Sequence, residues 1–550
     1  MSYTITEYDK NLILQGVLRY YVKIEILNEN GTVYGELIGT VVGSGSASID
    51  ASSHNRRQFS IVLSPTEQSI DISQNNLLWI NKEAKMSIMI YSFRDKSYHE
   101  YPFGKFIFAN MDGAYNATTN QLTVNGIDFY AKLDGTQNGQ FGTETTIPAY
   151  DEDSSGTPTR YNTIEDALIK TITQVANIDK YNIGDIGEYM AMPQYNTNWK
   201  TYRAEHPNWN YIPYDLEFSR GDYVSSMIDK MVNLYPNYDY FFDETGILTV
   251  KMIPSSYEDS VLLDYDYIKK VLVADNTESS SIVPTSVRNI CEVWGQTIDT
   301  DYYSDTVTKS GSIYNITCSG YESYSYGDKL AIKVPSTNDN GQYIKVGSLS
   351  SIQIYDEGTD TPISASVFES GKVYSFRYYK SYVNGSYIER FYYLGQWEVH
   401  AMNVITDGTV ILNGYTYNGV TLDKYSKKYF QTVYNCNSVE LTVIPDSPFT
   451  VQKIGERLDT KMDSEYEDIT SDSMAIVRAK YENWINCRLT DTITITTILM
   501  PWITDYQKIE YKRANSDEIN QYITQNISHD LSSCTTTITA YRFYPLYNET

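Results

Sequence analysis

The chain has 550 residues, with 69 acidic against 43 basic side chains and a formal net charge of −26. Hydrophobic residues make up 41% and aromatic residues 14%, including 53 tyrosines, so a disordered or purely solvating acidic chain is excluded and roughly three to five domains can each bury a core. The acidic balance also argues against gripping phosphate backbones or docking on an anionic membrane surface.

The first 135 residues read as strands and turns. Val17 to Leu27 is rich in β-formers and ends at Asn28-Glu-Asn-Gly31, a hairpin-type turn in which glycine supplies a positive φ. Ser46–Ile49, Gln58–Leu63, Met86–Phe93, Gly104–Phe108 and Gln121–Asn125 continue the pattern, and this spacing predicts a barrel or sandwich. Residues 137–160, rich in Gly, Gln, Thr, Ser and Pro, read as a linker. The period then changes to helical: Ile164, Leu168, Ile172 and Val175 share a face, with Asn162 and Glu165 as the expected capping box. A second helix over 223–234 carries Val224, Met227, Ile228, Met231 and Val232, followed by a hairpin turning at Asp243-Glu-Thr-Gly246. Residues 161–280 therefore read as an α+β domain. From about 306 to 430 short strands alternate with Asn, Gly, Ser and Asp turns, a separate tyrosine-rich β module. A helix bearing Met474, Val477, Tyr481 and Trp484 follows, and strands at 493–498, 521–524 and 535–541 close the pattern. The expected fold is mainly β with α+β: two β-barrels (1–136, and 281–305 with 431–550), the helical insert and the inserted module.

The most apolar stretch, Ile493 to Met500, is far shorter than the roughly 20 residues that span a bilayer, and threonines interrupt it. Met1 to Lys10 has neither the basic start nor the apolar run of a secretory signal. Cys291, Cys318, Cys436, Cys487 and Cys534 are odd in number and lack a C-x-x-C pair, which fits synthesis in a reducing host cytoplasm.

Chemistry finds little support. Gly43-Ser-Gly-Ser-Ala-Ser48 lacks the third glycine and the lysine of a phosphate loop and reads as a mobile β-turn. Asp151-Glu-Asp-Ser-Ser-Gly156 begins like a calcium loop, but Asn162 stands where the bidentate glutamate belongs. His54, His99, His206, His400 and His529 are too scattered for a zinc site. Asp239, Asp243 and Glu244, and again Glu465, Glu467 and Asp468, lie at spacings a glycosidase could use, yet 69 acids yield such pairs by composition alone. No catalytic residue, metal site or cofactor is assigned. Tyr321, Tyr324, Tyr326, Tyr379, Tyr382 and Tyr387 are the candidate surface-contact residues, since tyrosine offers a flat apolar face and one hydroxyl to sugar or protein; the competing and favoured reading packs such rings into the module's core.

The order of segments resembles the tail hub (baseplate hub) proteins of long-tailed bacteriophages and contractile injection systems. Tyr101-Pro-Phe-Gly-Lys-Phe-Ile-Phe108 is similar to the family's aromatic-Pro-x-Gly strand, and Leu122 to Asp134 to the strand closing the first barrel. Ser219-Arg-Gly-Asp222, its helix and Tyr240 to Val250 resemble the family's helix and hairpin; Ala475–Tyr481 and Ile493–Ile503 resemble the helix and strand-Pro segment of the second barrel. The module, with Gly327–Pro335 and Tyr393–His400, resembles an insertion seen in some tail proteins. The resemblance implies a non-enzymatic virion protein: a homotrimer whose six barrels match a hexameric tail tube or distal tail protein on one face and a threefold tip or spike protein on the other. A tape-measure protein is a further implied partner, and DNA passes through without specific binding or a membrane anchor. Two departures stand out: no peptidase or lysozyme domain follows the second barrel, and the 306–430 insertion splits that barrel heavily. The acidic balance would suit a channel wall, provided the acids face the lumen. The alternative is a glycan-binding or glycan-cleaving surface protein using the tyrosine-rich module; a receptor-binding fibre is disfavoured because heptads and fibrous repeats are missing.

Overall fold

The computed structural model describes residues 4–28, 30–37, 39–65, 82–109, 115–148, 150–152, 158–183, 215–233, 238–254, 259–273, 278–283, 290–299, 302–304, 306–318, 320–356, 360–383, 386–396, 401–412, 415–422, 426–435, 458–461 and 490–543. The expected helix with Met474 and Trp484, the acids Glu465, Glu467 and Asp468, and His206 and His400 lie outside these residues.

A short helix α1 (Glu7–Leu12), held by a Thr6–Asp9 capping box, precedes the first group of strands. These are β1 (Tyr20–Leu27), β2 (Val33–Leu37), β3 (Gly39–Asp50), β4 (Arg57–Pro65), β5 (Glu83–Ser92), β6 (Ser97–Phe108), β7 (Tyr115–Asn116) and β8 (Gln121–Asp128). The order β1-β5-β6-β8-β4-β3 comes back to its start, because β3 follows β2 with only residue 38 between them and β2 pairs with β1. A nearly closed barrel results. Alternation explains its inside: along β8, Leu122 and Val124 are buried while Gln121, Thr123 and Asn125 face out. Gly126 makes room for a core ring, since a Cβ there would lie 2.2 Å from Phe59.

An α+β body follows. A 3-10 turn (Phe129–Lys132) leads to β9 (Thr145–Ile147), β10 (Tyr150–Glu152) and β11 (Pro158–Tyr161), then helix α2 (Ile164–Lys170). A π turn (Thr171–Val175) extends α2. Next come β12 (Tyr181–Asn182), β13 (Leu216–Phe218), α3 (Val224–Asn233), β14 (Tyr238–Phe242) and β15 (Leu248–Met252). The capping box lies one residue beyond the expected Asn162–Glu165 pair: Thr163 Oγ1 accepts from Asp166 N at 3.0 Å, and Asp166 accepts from Thr163 N at 3.1 Å. Asn162 is instead buried, donating to the Pro148 carbonyl at 2.9 Å and accepting from Lys170 Nζ at 2.9 Å. The core joins Leu168, Ile172, Met227, Ile228 and Met231 to Phe242 and Val250. It also takes in Leu133, Phe141 and Ile147, so part of the segment read as a linker is core, its apolar residues being spaced too widely to show a period.

The chain then returns to the first sheet. β16 (Val261–Leu263), α4 (Tyr265–Val271) and β17 (Ser279–Val283) precede β18 (Ile290–Asp299). A tyrosine-rich sheet is built from β19 (Tyr302–Ser304), β20 (Val307–Ser310), β21 (Ile313–Ile316), β22 (Lys329–Lys333), β23 (Tyr343–Val346), β24 (Ile352–Asp356), β25 (Thr361–Pro362), β26 (Val373–Val383) and β27 (Ser386–Gln396). It has its own core around Leu330, Ile344, Ile354, Phe368 and Phe376. β28 (Ala401–Leu412) and β29 (Tyr415–Leu422) form a separate hairpin, while β30 (Ser426–Asn435) and β31 (Leu458–Lys461) flank β18. The compact part of the module therefore spans 302–396, short of the expected 430. Last come β32 (Thr490–Ile498), β33 (Lys508–Lys512), β34 (Ile519–Asp530) and β35 (Thr535–Arg542). They form a sheet in the order β17-β32-β35-β34-β33-β16, with β16 parallel to β33. Among the described residues this sheet does not return on itself. Helix α4, not among the expected helices, falls in the range read as the α+β domain and packs Ile268 and Val271 against it.

Candidate functional site

The two sheets meet along a seam. Strand β34 gives its first half to β33 and its second half to β3, pairing Asn526 through Asp530 antiparallel with Asp50 through Ser46. The main chain continues the zipper at both ends: Leu531 N donates to Gly45 O at 2.8 Å and Ala51 N to Gln525 O at 3.0 Å. Tyr20 Oη adds a bond to the Leu531 carbonyl. Behind the seam one hydrophobic cluster runs from Phe59, Met86 and Phe106 of the barrel to Ile495, Ile527 and Ile538 of the second sheet. Burying such side chains is worth about 1.5–3 kcal/mol each, so the two bodies share a core as well as a sheet. The segment Gly43–Ser48, expected to be a turn, is part of this strand; the pairing of β3 with β4 breaks register between Val41 and Gly45, where glycine tolerates the irregularity.

His529 sits in the seam opposite Ala47 and is fully buried. Its Nδ1 lies 2.9 Å from Thr536 Oγ1 and its ring meets Phe103 edge-on. Burial pushes its pKa down to about 4, so the imidazole is neutral at physiological pH.

A second junction ties three bodies together. Arg56, fully buried just before β4, pairs with Asp239 of β14 and, at 3.3 Å, with Asp505 in the loop before β33. Its guanidinium rests over Phe241, 4.7 Å from the ring centroid, and Tyr506 Oη donates to Asp239 Oδ2 at 2.7 Å. Burial works against the Arg56 charge, but Asp505 and Asp239 outweigh it and hold the group above its ordinary range. The neighbouring Arg57 donates to the Phe242 carbonyl at 2.6 Å and faces Glu244 at 3.7 Å. Its backbone N–H donates to Asp128, whose carboxyl burial pushes up to about 6 despite that bond and one from Tyr130 N. Both sides of this junction come from residues far apart in sequence, and no local spacing announces them.

The sequence candidates fall around this frame. A cleft of about 480 Å³ opens beside it, lined by Arg57, Tyr101, Asp243, Glu244, Lys251 and Trp502 among others. Its acids are engaged. Asp243 Oδ1 accepts from Thr245 N at 2.8 Å and Ile247 N at 3.0 Å, which shapes the hairpin turn, and Asp239 serves Arg56. The carboxylate set therefore builds turns and ion pairs. His54 stacks on Tyr240, 4.5 Å between centroids, with Asp229 3.5 Å away, and His99 lies 3.0 Å from Tyr8 Oη. Among the described residues no group of three or more His, Cys, Asp or Glu is placed to hold a metal ion. Of the calcium-like segment only Asp151 and Glu152 are described, within β10.

The tyrosines separate. Tyr321 is buried, stacked on Tyr302 at 4.2 Å, and Tyr324 packs on the module core against Tyr378 and Phe391. Tyr379 is buried in a smaller cluster with Tyr392, against which Tyr326 packs. Tyr387 is 53% exposed with Lys380 over its ring, and in register it opposes Tyr382, whose side chain lies outside the described residues. A sugar platform would have to be built on Tyr387, because Tyr321 and Tyr379 are spent on packing.

A family model described as "Domain of unknown function (DUF5048)" matches residues 446–547, the stretch holding β31 to β35. No curated protein matches the sequence. Among solved structures the chain is similar to the tail protein from Neisseria meningitidis MC58, at 9% identity and a TM-score of 0.42, covering 96% of this chain and 98% of that one. It is similar to the 43 kDa tail protein of prophage MuSo2 from Shewanella oneidensis, at 8% identity and a TM-score of 0.41, covering 95% and 98%. A third, prophage tail protein gp18 from Listeria monocytogenes EGD-e, is 10% identical with a TM-score of 0.38, covering 94% of each chain. All three are described as tail proteins.

Proposed function

We propose that this chain is a structural tail hub: three copies form a ring that joins a sixfold tail tube to a threefold tip and lets DNA pass through its centre. One observation carries the reading. The β3–β34 seam sets two β bodies of one chain side by side in a continuous sheet, so each copy contributes two neighbouring units to a ring and three copies contribute six. In this reading β18, β30 and β31 complete the second body as a barrel, and the α+β body and the module lie outside the ring wall. The sheet's free end supplies a contact between copies: β17, with Ser279, Ser280 and Ser281 exposed, meets the first barrel of the next chain, which caps an edge that would otherwise invite indiscriminate pairing. Tube or distal tail protein covers one rim and a tip or spike protein the other, in the virion, and the chemistry is mechanical rather than catalytic.

Native mass measurement of the purified chain, alone and with a tail-tube protein, tests this. A trimer supports it; a chain that stays monomeric under both conditions removes it.

A further inference from the structure

The main sheet ends in two unlike surfaces. Its strand path runs from β17 at one end, across the seam, to β6, β5, β1 and β2 at the other. In β1, β5 and β6 alternation sends Ile24, Ile88, Ile90 and Tyr101 to the core, and Tyr21, Met89, Tyr91 and Tyr98 take the outer face. Register sets these side by side, Tyr21 opposite Met89 and Tyr91 opposite Tyr98. The rings meet edge to face: 4.9 Å between the centroids of Tyr21 and Tyr98, 5.1 Å for Tyr91 and Tyr98, and 5.2 Å for Tyr91 and Phe93. The Arg19 guanidinium lies over two of them, 5.1 Å from the Tyr91 centroid and 5.8 Å from that of Tyr98. Tyr21 is 41% and Phe93 48% exposed. Tyrosine, phenylalanine, methionine and arginine grouped in this way are the composition of the centre of a protein interface.

The other half of the same face is ordinary. There Lys85 bridges Glu100 at 2.7 Å and Glu25 at 3.1 Å, and Lys23 pairs with Glu25 at 2.7 Å. The aromatic half is therefore a bordered patch rather than the general dressing of the barrel. Charge follows the division. The turn after β5 adds Arg94 and Lys96, both exposed, to Arg19. Asp95 between them accepts from Tyr8 Oη and, at 2.9 Å, from Ser92 Oγ, and Glu36 of β2 is the other acid near Tyr21 besides the bridged Glu100. The patch is thus basic on a chain of net charge −26.

The β17 end has the opposite character. Glu278, just before β17, accepts from Tyr511 Oη at 2.8 Å and from Ala514 N at 3.0 Å, which holds the β33–β34 turn beside that strand. The turn exposes Asp517, Glu518 and Ile519, the last by 53%. Its cations are spent locally, Lys512 on Asp517 at 3.3 Å and Arg513 on the buried Asp491.

We infer that the aromatic and basic face of β1, β5 and β6 receives the acidic β17 corner of the next copy, with Ile519 seated on the rings. The inference rests on the ring proposed above and names the first-barrel surface that β17 meets. Each copy carries one surface of each kind at opposite ends of its sheet path, so the contact is head to tail, as a closed ring requires. Acidic copies repel one another at long range, and a local basic face makes one approach favourable.

Sedimentation of the full chain, under the condition in which the unaltered protein forms its trimer, tests this. Tyr21→Ser with Phe93→Ser is expected to weaken trimer formation roughly tenfold or more, and Ile519→Ser to weaken it less, while Val33→Ser with Val367→Ser, at exposed positions elsewhere, leaves it unchanged. Arg19→Glu with Arg94→Glu, and Asp517→Arg with Glu518→Arg, are each expected to weaken the trimer, and all of them together to restore it, a recovery that a misfolded chain cannot show. An unchanged trimer in the Tyr21 and Phe93 variant overturns the inference and leaves the ring standing. If that trimer persists but no longer takes up tail-tube protein, the face belongs to the rim partner and the inference is likewise overturned. A combined charge variant no better than either pair overturns the matching of the two surfaces. A monomeric unaltered chain removes the ring, and the inference with it.

Discussion

The seam and the Arg56 junction hold the same bodies together by different means. Along the seam the groups are backbone amides and carbonyls over an apolar cluster, so the geometry is set by strand register, and slipping one residue would turn every core side chain outward. At the junction the groups are ions from three separate parts of the chain: the guanidinium of Arg56 and the carboxylate of Asp505, both buried, and the half-buried carboxylate of Asp239. The seam fixes position along the strands; the junction fixes the angle of the α+β body and of the 501–507 loop against the barrel. A buried ion pair adds little stability over an apolar replacement, but losing one member leaves the rest uncompensated.

That asymmetry gives the largest expected effect. Arg56→Met leaves the buried Asp505 and the half-buried Asp239 without their cation and should cost about 3–5 kcal/mol in urea unfolding, with Arg56→Lys recovering part because a single ammonium cannot reproduce the fork. A loss below about 1 kcal/mol would show that the junction contributes no more than a surface pair.

The seam's response is to acid. The folded His529 pKa, about 4, lies below the unfolded value near 6.5, so its neutral form contributes stability in full above pH 6.5, lost as pH falls toward 4. The difference amounts to about 3 kcal/mol, visible as the gap between the pH profiles of the wild-type chain and His529→Gln. Asp128 has the opposite sign: raised to about 6, it favours folding below pH 4 and loses that contribution as pH rises through 6. The wild-type profile should therefore be flatter between pH 4 and 6.5 than that of Asp128→Asn; a steeper wild-type profile would mean that one of the two groups is wetter than its surroundings indicate.

Smaller effects sharpen the contrast. Tyr506→Phe removes one hydrogen bond to the Asp239 carboxylate and should cost about 2 kcal/mol. Lys85→Ala, on the solvated face where Glu25 and Glu100 are partly exposed, should cost less than about 1 kcal/mol and vanish at high salt. A larger penalty at Lys85 than at Tyr506 would invert the comparison.

Much of the fold was legible because it is periodic. Alternation at Gln121–Asp128 and the helical spacing of Val224, Met227, Ile228 and Met231 reflect local burial, which sequence records directly. The cap of α2 fell one residue off because Asn162 and Thr163 are both good caps, and only the buried bonds of Asn162 decide between them. The junction was illegible: Arg56, Asp239 and Asp505 have no shared spacing, and 69 acids hide the two that matter. The alternation in Thr492-Ile-Thr494-Ile-Thr496 and Thr535-Thr-Thr537-Ile-Thr539 announces two strands, but that β34 and β3 join them to the first barrel is a long-range pairing no local spacing records.

The most direct test is symmetry-averaged imaging of the purified assembly viewed down its axis. The account predicts a threefold ring whose wall resolves into six alternating β bodies around an open bore. A twofold particle, or a ring showing three bodies, would contradict it.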